Sequence, residues 1–189
     1  MENFYKRKKD ILSKKDKSSI GKWDKRIVKL CNKINSLENY YTTSSCSGRI
    51  ILIVDQEKKA ENLFVFVSHE KINFKKLKEE LNKAIFLNKD IKFKLESFIL
   101  HINSKTLEDA RKILEIGKKS GFKKIGIIGL RNGFTIEIQG SEKIDFPIIQ
   151  NKKILVDDNF LKIIVKDANK KLGNNWKKIK KLEKLFFTE

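Results

Sequence analysis

The side chains best suited to chemistry gather in one stretch, Tyr40-Tyr41-Thr42-Thr43-Ser44-Ser45-Cys46-Ser47-Gly48-Arg49, which runs directly into the aliphatic segment Ile50-Ile51-Leu52-Ile53-Val54. Hydroxyls, a glycine and a guanidinium at this density suit an anion or a polar cofactor. Gly48 permits a positive φ and close backbone approach. Successive backbone N–H groups, with the hydroxyls of Ser44, Ser45 and Ser47, suit a carboxylate or phosphate. Nearly all the positive charge is lysine, with arginine only at Arg7, Arg26, Arg49, Arg111 and Arg131. An arginine placed directly after the glycine therefore points to a planar, bidentate donor. The competing reading is a serine-rich surface turn that ends in an arginine. Cys46 has no histidine near it in sequence and reads as packing.

The only histidines, His69 and His101, each lie near the end of an apolar segment. Strand ends are where sheets present side chains to ligands, and imidazole transfers protons near neutral pH. Against this stands a satisfied strand-end histidine in each case. With no nearby carboxylate or thiolate pattern, two histidines predict no metal site. Glu96 falls in phase with Phe98, Leu100 and Ile102, a face that reads as buried. A carboxylate there must be paired, or its pKa rises; an ion pair with Lys94 or a neighbouring strand competes with a functional role. Gly126-Ile127-Ile128-Gly129 is not a dinucleotide fingerprint, because it lacks the third glycine and no helix follows. No P-loop, kinase motif set or nucleophile elbow is present.

These residues need elements to hold them. Helical spacing of Ile27, Leu30, Cys31 and Ile34 predicts a helix over Trp23 to Leu37. Tyr40 to Thr43 and Arg49 to Asp55 read as strands flanking a polar loop. Asn62 to His69 reads as a central strand, apolar on both faces, with His69 sharing a face with Leu63, Val65 and Val67. Asn73 to Leu87 predicts an amphipathic helix and Ile91 to Asn103 one long strand, with His101 on the face of Phe93, Leu95, Ser97 and Ile99. Thr106 with Asp109 resembles a capping box for a helix to Ser120, which Gly121 ends. Ile125 to Leu130 and Phe134 to Gln139 predict a hairpin around Asn132-Gly133. Extended pieces follow at Ile144 to Ile149 and Lys153 to Val156. A last helix starts near Asp157 or Asp158 and runs to about Phe187, with a possible interruption at Gly173. The pattern predicts an α+β fold: one domain, 1–189, a mixed sheet with packed helices, and not a standard Rossmann fold.

The chain has 189 residues, with 43 basic against 24 acidic side chains and a net charge of +19. Biased composition accounts for many lysines but not for this imbalance, and the resulting field attracts polyanions, nucleic acid before a membrane surface. One basic run, from Lys6-Arg7-Lys8-Lys9 through Lys14-Lys15-Asp16-Lys17, lies near the start, and another, Lys170 to Lys181, near the end; both are expected to be basic helical segments. In the second, Trp176, Ile179, Leu182 and Phe186 form a stripe that reads as core. Lys8, Lys9, Lys14, Lys15, Lys177, Lys178 and Lys181 are the expected phosphate contacts. Cys31 and Cys46 form no zinc pattern and suit a reducing compartment. The N-terminus has no signal-peptide run, and the longest aliphatic run is far short of the roughly 20 residues of a membrane span. The expected setting is soluble and cytoplasmic.

Several motifs together carry a resemblance. Tyr41-Thr42-Thr43-Ser44-Ser45-Cys46-Ser47-Gly48-Arg49-Ile50, Val67-Ser68-His69, Phe98-Ile99-Leu100-His101 and Ser120-Gly121-Phe122 resemble the tRNA wybutosine-synthesising protein 3 family. Asp16-Lys17-Ser18, Gly21 and Asp24 extend the match upstream; Pro147, Ile154-Leu155-Val156 and Asn169-Lys170-Lys171 extend it downstream. Phe64 stands where the family commonly has tryptophan, Ile20 where a lysine is usual, and Ile125 where a small polar residue is usual. The resemblance implies a methyltransferase that uses S-adenosylmethionine. Its substrate would be the tricyclic guanosine derivative beside the anticodon of phenylalanine tRNA, methylated at N-4 of the aminocarboxypropyl intermediate; archaeal members serve related wyosine pathways. On that footing Ser44, Ser45, Ser47, Gly48 and Arg49 are expected to hold a carboxylate, of the methyl donor or of the substrate side chain. His69 is the expected general base or orienter, His101 a second polar anchor, and the lysines hold the anticodon arm. The rival reading is a non-catalytic basic RNA-binding protein, and a scaffold for another modification enzyme is weaker still.

Overall fold

In Ile91-Lys92-Phe93-Lys94-Leu95-Glu96 every odd position is buried and every even one half-exposed, the period of a strand with one covered face. This alternation recurs along the chain and sets how its strands are placed. The computed structural model describes residues 2–14, 24–56 and 63–188. Its elements, in chain order, are α1 (Glu2–Leu12), α2 (Val28–Ser36), β1 (Tyr40–Cys46), β2 (Arg49–Val54), β3 (Phe64–Ser68), α3 (Phe74–Ala84) with a 3-10 turn at Ile85–Leu87, β4 (Ile91–Glu96), β5 (Ile99–Ser104), α4 (Leu107–Lys119), β6 (Lys124–Gly129), β7 (Phe134–Gln139), β8 (Ile144–Gln150), β9 (Lys153–Ile154) and α5 (Asp158–Thr188). They group into two compact units: Met1–Ser47 with Ser97–Ser141 and Asn175–Glu189, and Gly48–Glu96 with Glu142–Asn174.

The first unit holds an antiparallel sheet in the order β1-β5-β7-β6. Leu100 and Ile102 of β5 and Ile136 and Ile138 of β7 point into one core with Ile27, Leu30 and Ile34 of the α2 segment, Ile113 and Ile116 of α4, and Ile179, Leu182 and Phe186 of α5. The stripe read from the last helix is thus core. Thr106 caps α4 as expected: its Oγ1 accepts from the Asp109 N–H at 3.0 Å, and its hydroxyl donates to Asp109 Oδ2 at 2.7 Å. The β6–β7 hairpin turns at Asn132 and Gly133, whose φ values of 58° and 115° are those its sequence calls for.

The second unit holds an antiparallel sheet in the order β3-β2-β4-β8-β9. Its covered face carries Leu52, Phe93 and Phe146. The Phe93 and Phe146 rings meet at 5.5 Å, and Phe146 meets Phe160 of α5 at 5.7 Å. The opposite face is a ladder of ion pairs between neighbouring strands: Arg49–Glu96 at 2.6 Å, Lys94–Asp145 at 3.0 Å and Lys92–Asp55 at 2.8 Å.

The α+β class and most of the elements are those the sequence predicts, and four features differ. In place of one mixed sheet there are two sheets in which neighbours are all antiparallel. The helices do connect parallel strands, β3 to β4 and β5 to β6, but β2 and β7 fill the slots between them and run the other way. The long strand from Ile91 to Asn103 is two strands in different sheets. The Ser97 hydroxyl donates to the Gly140 carbonyl, and the Gly140 N–H to the Phe98 carbonyl, each at 2.8 Å, which breaks the ladder. β3 is an edge strand, not a central one, with Phe64 exposed. α5 passes through Gly173 without interruption.

Candidate functional site

The polar segment is mostly strand. Ser44, Ser45 and Cys46 pair with His101, Leu100 and Ile99, after a bulge between Thr42 and Ser44. Only Ser47 and Gly48 lie between β1 and β2, and Gly48 takes φ 99°, the role its sequence position predicts. Its hydroxyls therefore sit on an edge strand and not in a free loop, because a run of threonine and serine satisfies a ladder as well as a turn. Ser44 is exposed and Ser45 half-buried. Ser47 is fully buried: its N–H donates to Asp24 Oδ2 at 2.8 Å, while its Oγ has no hydrogen-bond partner among the described residues. A buried hydroxyl without a partner is an uncommon and costly state. Asp24 is itself buried and also accepts the Arg26 N–H at 3.2 Å. Within this segment, burial pushes the Tyr41 phenol above its usual pKa, and the Arg7 guanidinium offsets part of the rise.

In the second unit, the Arg49 Nε donates to Glu96 Oε2 at 2.6 Å, and its guanidinium lies 4.7 Å from the Phe64 ring centroid. Glu96 is thus paired through the neighbouring strand, one of the outcomes its sequence context allows. Its expected phase with Phe98, Leu100 and Ile102 fails because the strand is broken at Ser97; Glu96 belongs with Lys92 and Lys94 on the charged face. Ile50 pairs with Ser68, so His69, half-buried just beyond β3, comes level with Arg49.

His101 lies in the middle of β5 and not near a strand end, directly across from Ser44 on one side and Glu137 on the other. Its Nε2 meets Glu137 Oε2 at 2.8 Å. The break at Ser97 also separates it from Phe93 and Leu95; it shares the outer face with Ile99 and Asn103. Sequence reasoning missed Glu137. The signal was available, because Thr135, Glu137 and Gln139 alternate with the buried Ile136 and Ile138. A carboxylate on an imidazole nitrogen fixes the ring and its tautomer, which suits an acid–base or anchoring role.

Ser44, Ser45, Ser47 and His101 thus belong to the first unit, and Gly48, Arg49 and His69 to the second. Among the basic residues, Lys9, Lys14, Lys177 and Lys181 are exposed. The Lys8 ammonium instead donates to the Leu37 carbonyl at the end of α2, and burial lowers its pKa against the raising effect of Glu38. Lys178 lies 5.9 Å from the Phe122 ring centroid. Lys15 lies outside the described residues, as do Trp23, Asn62 and the Asp16-to-Gly21 motif residues.

Residues 6–187 match the family model described as Methyltransferase TYW3. The chain belongs to the TYW3 methyltransferase family. It is 34% identical over 180 residues to a Thermococcus sibiricus protein named tRNA(Phe) 7-((3-amino-3-carboxypropyl)-4-demethylwyosine(37)-N(4))-methyltransferase, covering 94% of this chain and 90% of that one. It is 32% identical over 186 residues to a tRNA wybutosine-synthesizing protein 3 homolog of Danio rerio, covering 95% of this chain and 73% of that one. Its fold matches the solved structure of the PH1069 protein from Pyrococcus horikoshii with a TM-score of 0.86 and 32% identity, over 98% of this chain and 96% of that one. Membership in TYW3 makes this chain a methyltransferase that requires a methyl donor, and favours the enzyme over the non-catalytic RNA-binding reading. No helix among the described residues of this TYW3 member is long and apolar enough to cross a membrane.

Proposed function

We propose that this TYW3 family member, acting as one catalytic domain over 1–189, uses S-adenosylmethionine to methylate N-4 of the aminocarboxypropyl-demethylwyosine nucleotide beside the anticodon of phenylalanine tRNA, in the cytoplasm. The observation that supports this most is the family match over 6–187, together with relatives named for that reaction over most of their length. The methyl donor, when bound, supplies a methyl group on a sulfonium centre. What remains for the protein is positioning and removal of the proton from the attacking nitrogen.

Ser44, Ser45, Ser47, Gly48 and Arg49 are assigned to a carboxylate, of the methyl donor or of the substrate's aminocarboxypropyl chain. The residues fit such a group in two respects. The buried Ser47 Oγ lacks a partner, and Arg49 spends only Nε on Glu96, its terminal amines having no partner among the described residues. His69 is assigned as general base or orienter. His101, set by Glu137, is assigned as a second polar anchor. Lys9, Lys14, Lys177 and Lys181, with Lys8, Lys15 and Lys178, are assigned to the backbone of the anticodon arm.

Titration calorimetry with S-adenosylmethionine, with and without tRNA, tests the reading. Saturable donor binding is expected. No heat under either condition, alongside steeply salt-dependent RNA binding, would return the chain to the RNA-binding class.

A further inference from the structure

One groove of the second unit plays no part in the roles assigned so far. It lies between the edge strand β3 and the C-terminal end of α3, encloses about 490 Å³, and is lined by Val54, Phe64, Val65, Glu80, Lys83, Ala84, Leu87 and Lys89. That volume is in the range of ligand pockets. Two of the lining side chains are large, apolar and exposed, Phe64 at 41% and Leu87 at 48%; Phe86, outside the lining but next to Leu87 in the chain, is 87% exposed. One exposed apolar residue needs no explanation; two lining one groove, with a third beside them in the chain, mark an interaction surface.

The surface is also held rigid. Ile85–Leu87 form a 3-10 turn closed by Asn88 in the left-handed region, φ 52°, whose N–H donates to the Ile85 carbonyl at 3.3 Å. The backbone of Phe86 is therefore presented on a set turn, and little backbone freedom remains to be lost on binding. The rim is cationic. Lys83 and Lys89 are exposed, and Glu80, the one acid among the described lining residues, is already matched by Lys76 at 3.0 Å and Lys83 at 2.9 Å. Their charge holds the Glu80 carboxylate below its usual pKa, the hydrogen bond from Lys83 first and that from Lys76 next. At one end, the Phe64 ring carries the Arg49 guanidinium, so the groove runs on to a residue assigned to a carboxylate.

Aromatic faces beside lysines are how proteins hold unpaired nucleotides, by stacking the base and pairing the phosphate. One carboxylate, Glu80, is shared by Lys76 and Lys83, so an apolar partner protein would leave positive charge on the rim unmatched, that of Lys89 first, whereas a polyanion matches it. We propose that this groove and Phe86 hold an unpaired base of the tRNA loop that adjoins the target nucleotide, with Phe86 as stacking platform and Lys83 and Lys89 on the flanking phosphates. The inference rests on the tRNA reading above and adds a subsite to it.

The test is fluorescence anisotropy of the full chain with an anticodon stem-loop RNA, a loop variant with one base flanking the target removed, and a duplex of equal length. Phe86→Ala is expected to weaken stem-loop binding by about tenfold or more, as loss of one base–aromatic stack does. Phe86→Tyr should bind as wild type does, and the duplex should not distinguish the variants. The abasic loop should weaken wild type but not Phe86→Ala. Equal stem-loop affinity for wild type and Phe86→Ala overturns the proposal. So does an equal loss on the duplex, and so does a dimer by light scattering that Phe86→Ala dissociates, since the face then serves a second copy. Failure of the methyltransferase reading shows separately, as absent donor binding with the stem-loop effect intact.

Discussion

Replacing Arg49 separates its structural role from its proposed ligand role, because the structure bounds the first. The Arg49–Glu96 pair is short, but its side chains are 22% and 40% exposed, so water screens it and its worth is about 1 kcal/mol. The stack over Phe64 adds roughly 0.5–1 kcal/mol. Arg49→Ala should therefore lose about 1–2 kcal/mol of folding stability and stay folded, given a usual reserve of about 5–15 kcal/mol. If the terminal amines hold a carboxylate, charge-assisted bonds worth about 3 kcal/mol are lost as well, roughly 100-fold in kcat/KM. Arg49→Lys keeps the charge without the planar fork and should fall between, at about tenfold. Glu96→Gln keeps an acceptor for Nε and should cost only a few-fold. The assay is initial rates with labelled methyl donor and hypomodified tRNA, each varied in turn. A KM rise confined to the donor assigns its carboxylate to Arg49, and one confined to tRNA assigns the substrate side chain. Arg49→Ala within a few-fold of wild type on both axes would refute the assignment and leave the residue a strand-to-strand tie.

Two further outcomes concern the frame that holds the site. A Cβ on Gly133 would lie 2.5 Å from Asn103 Oδ1 and 2.6 Å from the Ser104 carbonyl, whereas one on Gly121 would meet nothing within 4 Å. Both glycines have positive φ, so in urea titrations Gly121→Ala should cost about 1 kcal/mol and Gly133→Ala about 2–3 kcal/mol, the excess being the clash; equal losses would refute the close approach. The Glu80 carboxyl is held below its usual pKa by hydrogen bonds from Lys83 and then Lys76, so its folded pKa lies under its unfolded one. Its contribution is present above the unfolded pKa and vanishes as pH falls through the folded one. Glu80→Gln should destabilise by up to about 1 kcal/mol at pH 7 and by nothing measurable well below that range, as paired urea melts would read.

The sequence pattern located α3, α4 and α5 well because each carries an amphipathic period and, in Thr106-to-Asp109, a side-chain cap that local chemistry determines. It located the Asn132-Gly133 hairpin for the same reason. Where it failed, the deciding contacts were distant. The break between β4 and β5 depends on Gly140, far along the chain. A local sign of it exists all the same: the buried positions are odd through Ile91, Phe93 and Leu95, then even through Phe98, Leu100 and Ile102. A strand cannot change parity without a bulge or a break. The edge position of β3 left no such mark, since apolar residues on both faces fit an edge beside a groove as well as a central strand. For the site, Gly48 and the pairing of Glu96 were legible, while Glu137 and the hold of Asp24 on Ser47 came from tertiary pairing.

These pairings share one pattern. Glu96 takes the Nε of Arg49, Glu137 meets Nε2 of His101, and Asp24 takes the N–H of Ser47. A carboxylate on each of these three candidate groups could be taken as evidence that none is free to act. The atoms used point the other way. Arg49 is held through Nε, which fixes the guanidinium plane and leaves the two terminal nitrogens, the fork that meets a carboxylate. His101 is held at one ring nitrogen, so a partner bound there sets the role of the other. Ser47 is held by its backbone, and its hydroxyl is the group left without a partner. In each case the internal carboxylate engages the atom that orients the group and spares the atom that would contact a ligand, as preorganised sites require. Arg49→Lys therefore tests more than charge: a lysine satisfies Glu96 as a point cation but cannot be held at one nitrogen while offering two others.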